Sequence, residues 1–132
     1  NRECERNGVL SACQELGITL IAYSPLGKGL LSGKYRPGVN ISGARRGLRA
    51  FAPEQLAAAM PTIDLLTAIG AAHGKTAGQV ALNWLVRQPG VLPIPGAKNA
   101  HQAAENAGAL GWEITAEEAD ALDRVSRAAS DA

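Results

Sequence analysis

The sequence predicts an α/β fold with parallel strands, and three observations carry that reading. Residues 18–22 (Ile-Thr-Leu-Ile-Ala) and 91–94 (Val-Leu-Pro-Ile) are short, nearly all-apolar runs of strand length and content. Between them lie a long loop and a pair of helical patterns, and strands separated by that much helix run parallel. Strands so apolar belong to a sheet buried on both faces. A complete (β/α)8 barrel needs about 250 residues, and an open dinucleotide-binding sheet about six strands. With 132 residues and two strands, the chain is expected to be the last part of a barrel or of an open sheet. It opens with Asn1, which fits a piece of something longer.

Taken in order, residues 3 to about 16 read as one helix. Val9, Leu10, Cys13 and Leu16 recur at helical spacing, and Gly17 is a natural terminator. The first strand follows. Residues 23–35 (Tyr-Ser-Pro-Leu-Gly-Lys-Gly-Leu-Leu-Ser-Gly-Lys-Tyr) leave its end with three glycines and two lysines. A P-loop would need glycine where Lys28 stands and Ser or Thr where Tyr35 stands. Gly27, Gly29 and Gly33 give G-x-G-x-x-x-G, not the dinucleotide fingerprint. The loop can still wrap an anionic ligand with its backbone, by another pattern. Residues 36–53 hold Pro37, Gly38, Gly43, Gly47 and four arginines without a period, the signature of a long surface loop. Arg45, Arg46 and Arg49 read there as solvated charge.

From Pro61, suited to a first turn, a helix is expected to run to His73, with Ile63, Leu66 and Ile69 on one face and Gly74 ending it. Thr76 and Gln79 form a capping box for the next helix, which shows Val80 and Trp84 on one face and stops at Gln88-Pro89-Gly90. The second strand ends at Pro95-Gly96. Asn99 with Gln102 reads as the boxed start of a helix from about Ala100 to near Gly111. Thr115 with Glu118 opens the last helix, with Leu122 and Val125 inward.

The turn between the second strand and its helix joins free backbone N–H groups, the positive end of a helix dipole and the charge of Lys98. Such a place favours an anion, most often a phosphate; the alternative is a lysine on a solvated loop. Glu105 and Asn106 stand further along the helix, beside whatever Lys98 holds. No catalytic constellation is visible: His73 and His101 read as surface histidines, and Glu113, Glu117, Glu118, Asp120 and Asp123 as a solvated helix start. There is no metal-type cysteine spacing. Cys4 and Cys13 would lie on opposite faces of one helix, so they cannot bridge, and a reducing compartment fits. A net charge of +1 with scattered basic residues argues against a nucleic-acid partner. No run approaches the ~20 apolar residues of a membrane span.

Two stretches carry a resemblance. Residues 22–35 and 94–106 (Ile-Pro-Gly-Ala-Lys-Asn-Ala-His-Gln-Ala-Ala-Glu-Asn), with Val-Ala-Leu-Asn-Trp at 80–84, resemble the C-terminal part of an aldo-keto reductase. With Ala-Gly-Ala-Leu-Gly-Trp at 107–112, the likeness is to plant, algal and cyanobacterial members, including chloroplast ones. It covers essentially the whole chain. It implies that residues 1–132 are the C-terminal part of a single NADP-binding (β/α)8 barrel domain. Residues 18–22 would be the seventh strand and 91–94 the eighth, with Asn1 and Arg2 following the sixth. It implies NADP(H) as cofactor and hydride transfer to a small aldehyde or ketone.

By resemblance, Ser24, Leu26 and the backbone around Gly27 and Lys28 lie along the pyrophosphate, with Leu30 and Lys34 nearby. Ile94, Gly96, Lys98 and Gln102 surround the 2′-phosphate, and Glu105 and Asn106 meet the adenine. Many relatives carry Arg where Gln102 stands, and a neutral Gln forfeits a charge-assisted contact. The family's catalytic Tyr, Lys, Asp and His would precede Asn1, so neither Tyr23 nor Tyr35 takes that role and the chain alone is expected to be inactive. The implied compartment is soluble and reducing, chloroplast stroma or cytoplasm. Two other readings share the motifs: a regulatory cofactor-binding protein of the potassium-channel β-subunit type, and a truncated remnant.

Overall fold

A computed structural model describes residues 2–131; Asn1, expected to follow a sixth strand, lies outside them. The expected first helix is two, α1 (Glu3–Arg6) and α2 (Val9–Glu15). Gly8, at φ 82°, breaks the run, and the Asn7 side chain accepts the Val9 N–H at 3.1 Å. Cys4 and Cys13 therefore sit on different helices, the opposite-face argument does not apply, and both thiols are free.

Strands β1 (Leu20–Tyr23) and β2 (Val91–Ile94) pair in parallel, Leu20 opposite Val91 and Tyr23 opposite Ile94. The parallel pairing is as expected. Burial on both faces is not. Ile21, Tyr23, Leu92 and Ile94 are exposed, while Leu20, Ala22, Val91 and Pro93 are half-buried. Alternate residues point to opposite faces of a strand, and among the described residues helices cover one face only.

Helix α3 runs from Pro53 to His73, eight residues earlier than expected at its start. Pro53 takes the first-turn position, and Ala57, Ala58, Ala59 and Met60 are strong helix formers. They carry the helix through Pro61, which is exposed and forgoes one N–H bond. At 21 residues α3 is long and apolar enough to cross a membrane by length and mean composition alone, although Glu54, Gln55, Thr62, Asp64 and Thr67 interrupt its apolar residues, so it holds no unbroken apolar run of that length. It packs against α4 (Ala77–Val86) and α6 (Ala116–Asp131), with Leu56, Ile63, Leu66 and Ile69 buried, as a core helix does. With Ala77, Val80, Ala81, Ile114 and Leu122, Leu66 and Ile69 form one continuous cluster.

The 36–53 segment is not uniformly surface loop. It makes two short 3-10 turns, Gly43–Arg45 and Arg49–Phe51, and Phe51 is buried edge-on against Tyr35, centroids 5.1 Å apart. Helix α5 (Ala100–Ala107) ends short of Gly111. The Thr76/Gln79 box forms as read, with N–H bonds of 2.9 and 3.2 Å, and the Thr115/Glu118 box with bonds of 2.8 and 3.1 Å. Leu122 is buried and Val125 half-buried.

His73 is more than a surface histidine. Its Nε2 lies 2.9 Å from a Glu118 carboxylate oxygen and its ring centre 5.1 Å from that of Trp112, tying the end of α3 to the start of α6. Burial opposes the charge on Glu118, but the Thr115 N–H and His73 outweigh it and hold the carboxyl below its ordinary value. Asp123 is likewise held low, chiefly by its bond to Arg127, against burial and with help from Arg2. A carboxylate with a depressed folded pKa stabilises fully above its unfolded pKa and stops doing so as pH falls through the folded one. The melting temperature is therefore expected to fall as pH drops below about 4, the ordinary carboxylate value. Glu118→Gln with Asp123→Asn should flatten that acid limb in thermal scans from pH 7 to 3. An unchanged limb would show that these two groups do not control it.

Candidate functional site

The two loops that follow β1 and β2 meet at one end of the sheet. After Tyr23 the chain reverses at Ser24, at φ 49°, and enters the tight turn Gly27–Ser32, in which Gly27, Lys28 and Gly29 have φ of 56°, 57° and 97°. Left-handed Ser24 and Lys28 each cost of order 1–3 kcal/mol. The turn is over-determined by bonds from Gly27 N–H to Ser24 O (2.8 Å), Gly29 N–H to Leu26 O (3.0 Å) and the Ser32 hydroxyl to Gly29 O (2.7 Å). Arg45, read as solvated charge, is half-buried instead. Its Nε donates to Lys28 O at 2.8 Å and its guanidinium lies 5.5 Å from the Tyr35 ring centre, pinning the turn from the long loop.

Across from this turn, Pro95 to Lys98 lead into α5. Asn99 accepts the Gln102 N–H at 2.9 Å, as read. The return bond differs from a strict box: the Gln102 side-chain oxygen takes the Lys98 N–H at 2.8 Å and so fixes the loop rather than the cap. The Asn106 amide donates to Gly96 O at 3.3 Å, bracing the same turn from below. Helix geometry leaves the N–H groups of Ala100 and His101 without an intrahelical partner.

Between the two loops lies a cleft of about 580 Å³. Of the residues singled out in the sequence, Ser24, Leu26, Lys28, Lys34, Gly96, Lys98, Gln102, Glu105 and Asn106 line it. Gly27, Leu30 and Ile94 do not. Gly27 shapes the turn from within, Leu30 lines a neighbouring cavity with Leu31 and Trp84, and Ile94 is exposed at the end of β2. Tyr35, Arg45, Thr76 and Gln79 also line the cleft and were not anticipated. The Thr76/Gln79 pair was legible as a helix start, but its opening onto this cleft depends on how α4 packs.

Among the described residues the cleft presents four cationic side chains, Lys28, Lys34, Arg45 and Lys98, against one carboxylate, Glu105. That donor set suits a ligand carrying several negative charges. Among the described residues no three His, Cys, Asp or Glu side chains stand together as a metal site. Tyr23 is exposed at the mouth of the sheet, and Tyr35 is engaged with Phe51 and Arg45.

A parallel β/α unit with a polycationic cleft at the C-terminal ends of its strands is the construction of β/α ligand-binding domains, where loops at that end form the site. Comparison with known proteins makes the class specific: the Aldo/keto reductase family profile matches residues 2–127, and the chain belongs to that family. It is 42% identical over 115 residues to the chloroplastic pyridoxal reductase of Arabidopsis thaliana, covering 86% of this chain and 30% of that protein. It is 34% identical over 111 residues to the NADP(+) aldo-keto reductase yakc of Schizosaccharomyces pombe, covering 82% and 33%. The solved thermostable aldo-keto reductase Tm1743, in complex with the inhibitor epalrestat, superposes with a TM-score of 0.69 at 30% identity over 95% of this chain and 36% of that one. The chain thus spans about a third of the length of these relatives, and its fold is that of part of their (β/α)8 barrel.

Proposed function

We propose that this chain is the C-terminal, cofactor-holding part of a single aldo-keto reductase barrel domain, and that the whole protein reduces small aldehydes or ketones with NADP(H). The observation that carries the proposal is the cleft, with its four cations, its glycine turn and the start of α5 converging at the strand ends. On this reading Ser24, Leu26 and Lys28 run along the pyrophosphate with Lys34 beside them, Gly27 shaping the turn from within and Leu30 backing it from the neighbouring cavity. Ile94, Gly96, Lys98 and Gln102 surround the 2′-phosphate, and Glu105 and Asn106 take the adenine. The Gln102 oxygen is committed to the Lys98 N–H, so Lys98 supplies the charge that separates NADP from NAD.

When bound, the nicotinamide supplies a hydride to the carbonyl carbon; this chain's residues bind and orient the other half of the cofactor. The proton-transferring residues of the family lie upstream in this reading, and the 132-residue chain alone is inactive. The exposed apolar face of Ile21, Tyr23, Leu92 and Ile94 supports it, because further strands would cover that face. A pyridoxal-like or reactive carbonyl as substrate, and chloroplast stroma or cytoplasm as compartment, accord with the chloroplastic pyridoxal reductase relative.

Titrating NADPH and NADH against this chain, and against a longer chain extended upstream through the earlier strands, tests the proposal by cofactor fluorescence. Saturable NADPH binding, tighter than NADH, is expected. Binding only by the longer chain would mean that the closed barrel forms the site. Absence of binding by both would overturn the reductase reading.

A further inference from the structure

The C-terminal end of α5 is held by side chains that mostly belong to α4 and its approach. Gly108 O accepts from Lys75 Nζ at 3.3 Å, and a single Asn83 amide serves Ala109 O at 2.9 Å and Trp112 O at 2.8 Å. Gln79 does more than its neighbours. Its Oε1 accepts the Thr76 N–H at 2.9 Å, capping the start of α4, while its Nε2 donates to Glu105 O at 2.9 Å, capping the end of α5. One neutral amide thus has both ends committed to two helices, and it lines the cleft between them.

Gln79 reaches that carbonyl because residue 108 has no side chain. A Cβ on Gly108 would lie 2.2 Å from the Gln79 Nε2 and 3.2 Å from its Cδ. Gly108 does not have a left-handed φ, so its use here is clearance, not conformation. The same first turn of α4 abuts the glycine loop, where the place of a Cβ on Gly78 is 3.8 Å from a Leu26 methyl. From there the link continues through Gln79 to the turn of Glu105 and Asn106, and Asn106 braces Gly96 on the far loop. The first turn of α4 is therefore the common base of both walls.

We propose that Gln79 is a positioning residue for the cleft: with Gly108 as its clearance, it sets Glu105 and Asn106 against the glycine loop and so governs affinity for the adenosine half of the cofactor. This rests on the NADP(H) reading above. Gln79→Met removes the amide without adding charge, and Gly108→Ala displaces an intact Gln79 by steric contact alone. Both are made in whichever chain binds NADPH, and the probes are NADPH and 2′,5′-ADP, which lacks the nicotinamide half.

Each variant is expected to weaken both probes by the same factor, roughly 3- to 10-fold, the scale of one lost hydrogen bond. Amide hydrogen exchange without ligand should quicken at Gly108 and Ala109, and in Gly108→Ala the Val80 amide should keep its protection. Unchanged affinity in both variants would overturn the proposal. A loss for NADPH well beyond that for 2′,5′-ADP would also overturn it, because the pyrophosphate loop would then be disturbed and Gln79 would be merely structural. Wild-type protein that binds neither probe would instead defeat the NADP(H) reading itself, before either variant is compared.

Discussion

Replacing Lys98 with alanine is expected to weaken NADPH binding by about 1.5–3 kcal/mol, the range for a hydrogen bond to a charged group. That is about ten- to a hundredfold or somewhat more in Kd. The size follows from how the loop is built. The Lys98 N–H is tied to the Gln102 side-chain oxygen, so the backbone at that point is fixed while the ammonium stays exposed. Gln102 carries no charge, so nothing at its position substitutes for the lost ammonium. NADH lacks the 2′-phosphate, and its affinity should change little. The ratio of the two affinities, measured by fluorescence titration at fixed ionic strength, is thus the decisive quantity. If Lys98→Ala weakened both cofactors equally, the lysine would be acting through the general positive field of the cleft, and its assignment to the 2′-phosphate would be wrong.

What the sequence made legible was what is encoded locally. The boxes at Thr76/Gln79 and Thr115/Glu118 use residues three apart, and both formed with the expected bonds. The two apolar strands and the loops after them were placed for the same reason. The break at Gly8 was missed because the helical spacing of Val9, Leu10, Cys13 and Leu16 lies entirely after it, and it said nothing about residues 3–6. The start of α3 was misplaced because Pro61 offers the same first-turn signature as Pro53, and the alanines between them have propensity but no apolar period.

In the site, Arg45 and Gln79 were out of reach for a different reason. Arg45 meets its loop partner across 17 residues and Gln79 meets α5 across 26, and no local pattern reports contacts at such separations. The half-exposed strands belong to a third kind of miss: an all-apolar run states what a strand could bury, and the helices present decide which face is covered.

The same dependence on distant contacts makes Asn83 the polar residue whose loss should cost the most. It is 4% exposed, yet all its amide atoms are engaged. The nitrogen donates to Ala109 O and Trp112 O at 2.9 and 2.8 Å, and the oxygen accepts the Ile114 N–H at 3.3 Å. Those three backbone groups belong to the link between α5 and α6, a segment without regular structure whose Ile114 is in the core. Lys75 and Arg87 each hold one more carbonyl of this segment, at Gly108 and Ile114, but the Asn83 side chain alone serves three of its backbone groups. Asn83→Leu keeps roughly the volume and leaves the three groups unmatched, at about 1–3 kcal/mol for each one that stays buried. A loss of about 3 kcal/mol or more is expected in urea unfolding followed by Trp112 and Trp84 fluorescence. Asn83→Asp should be comparably harmful, since it keeps the acceptor but turns a carboxylate toward two carbonyls. If Asn83→Leu unfolded within about 1 kcal/mol of the wild type, the scale of a single ordinary hydrogen bond, water would be replacing the amide. The α5–α6 link would then be held by the burial of Ile114 with the Lys75 and Arg87 bonds to Gly108 O and Ile114 O.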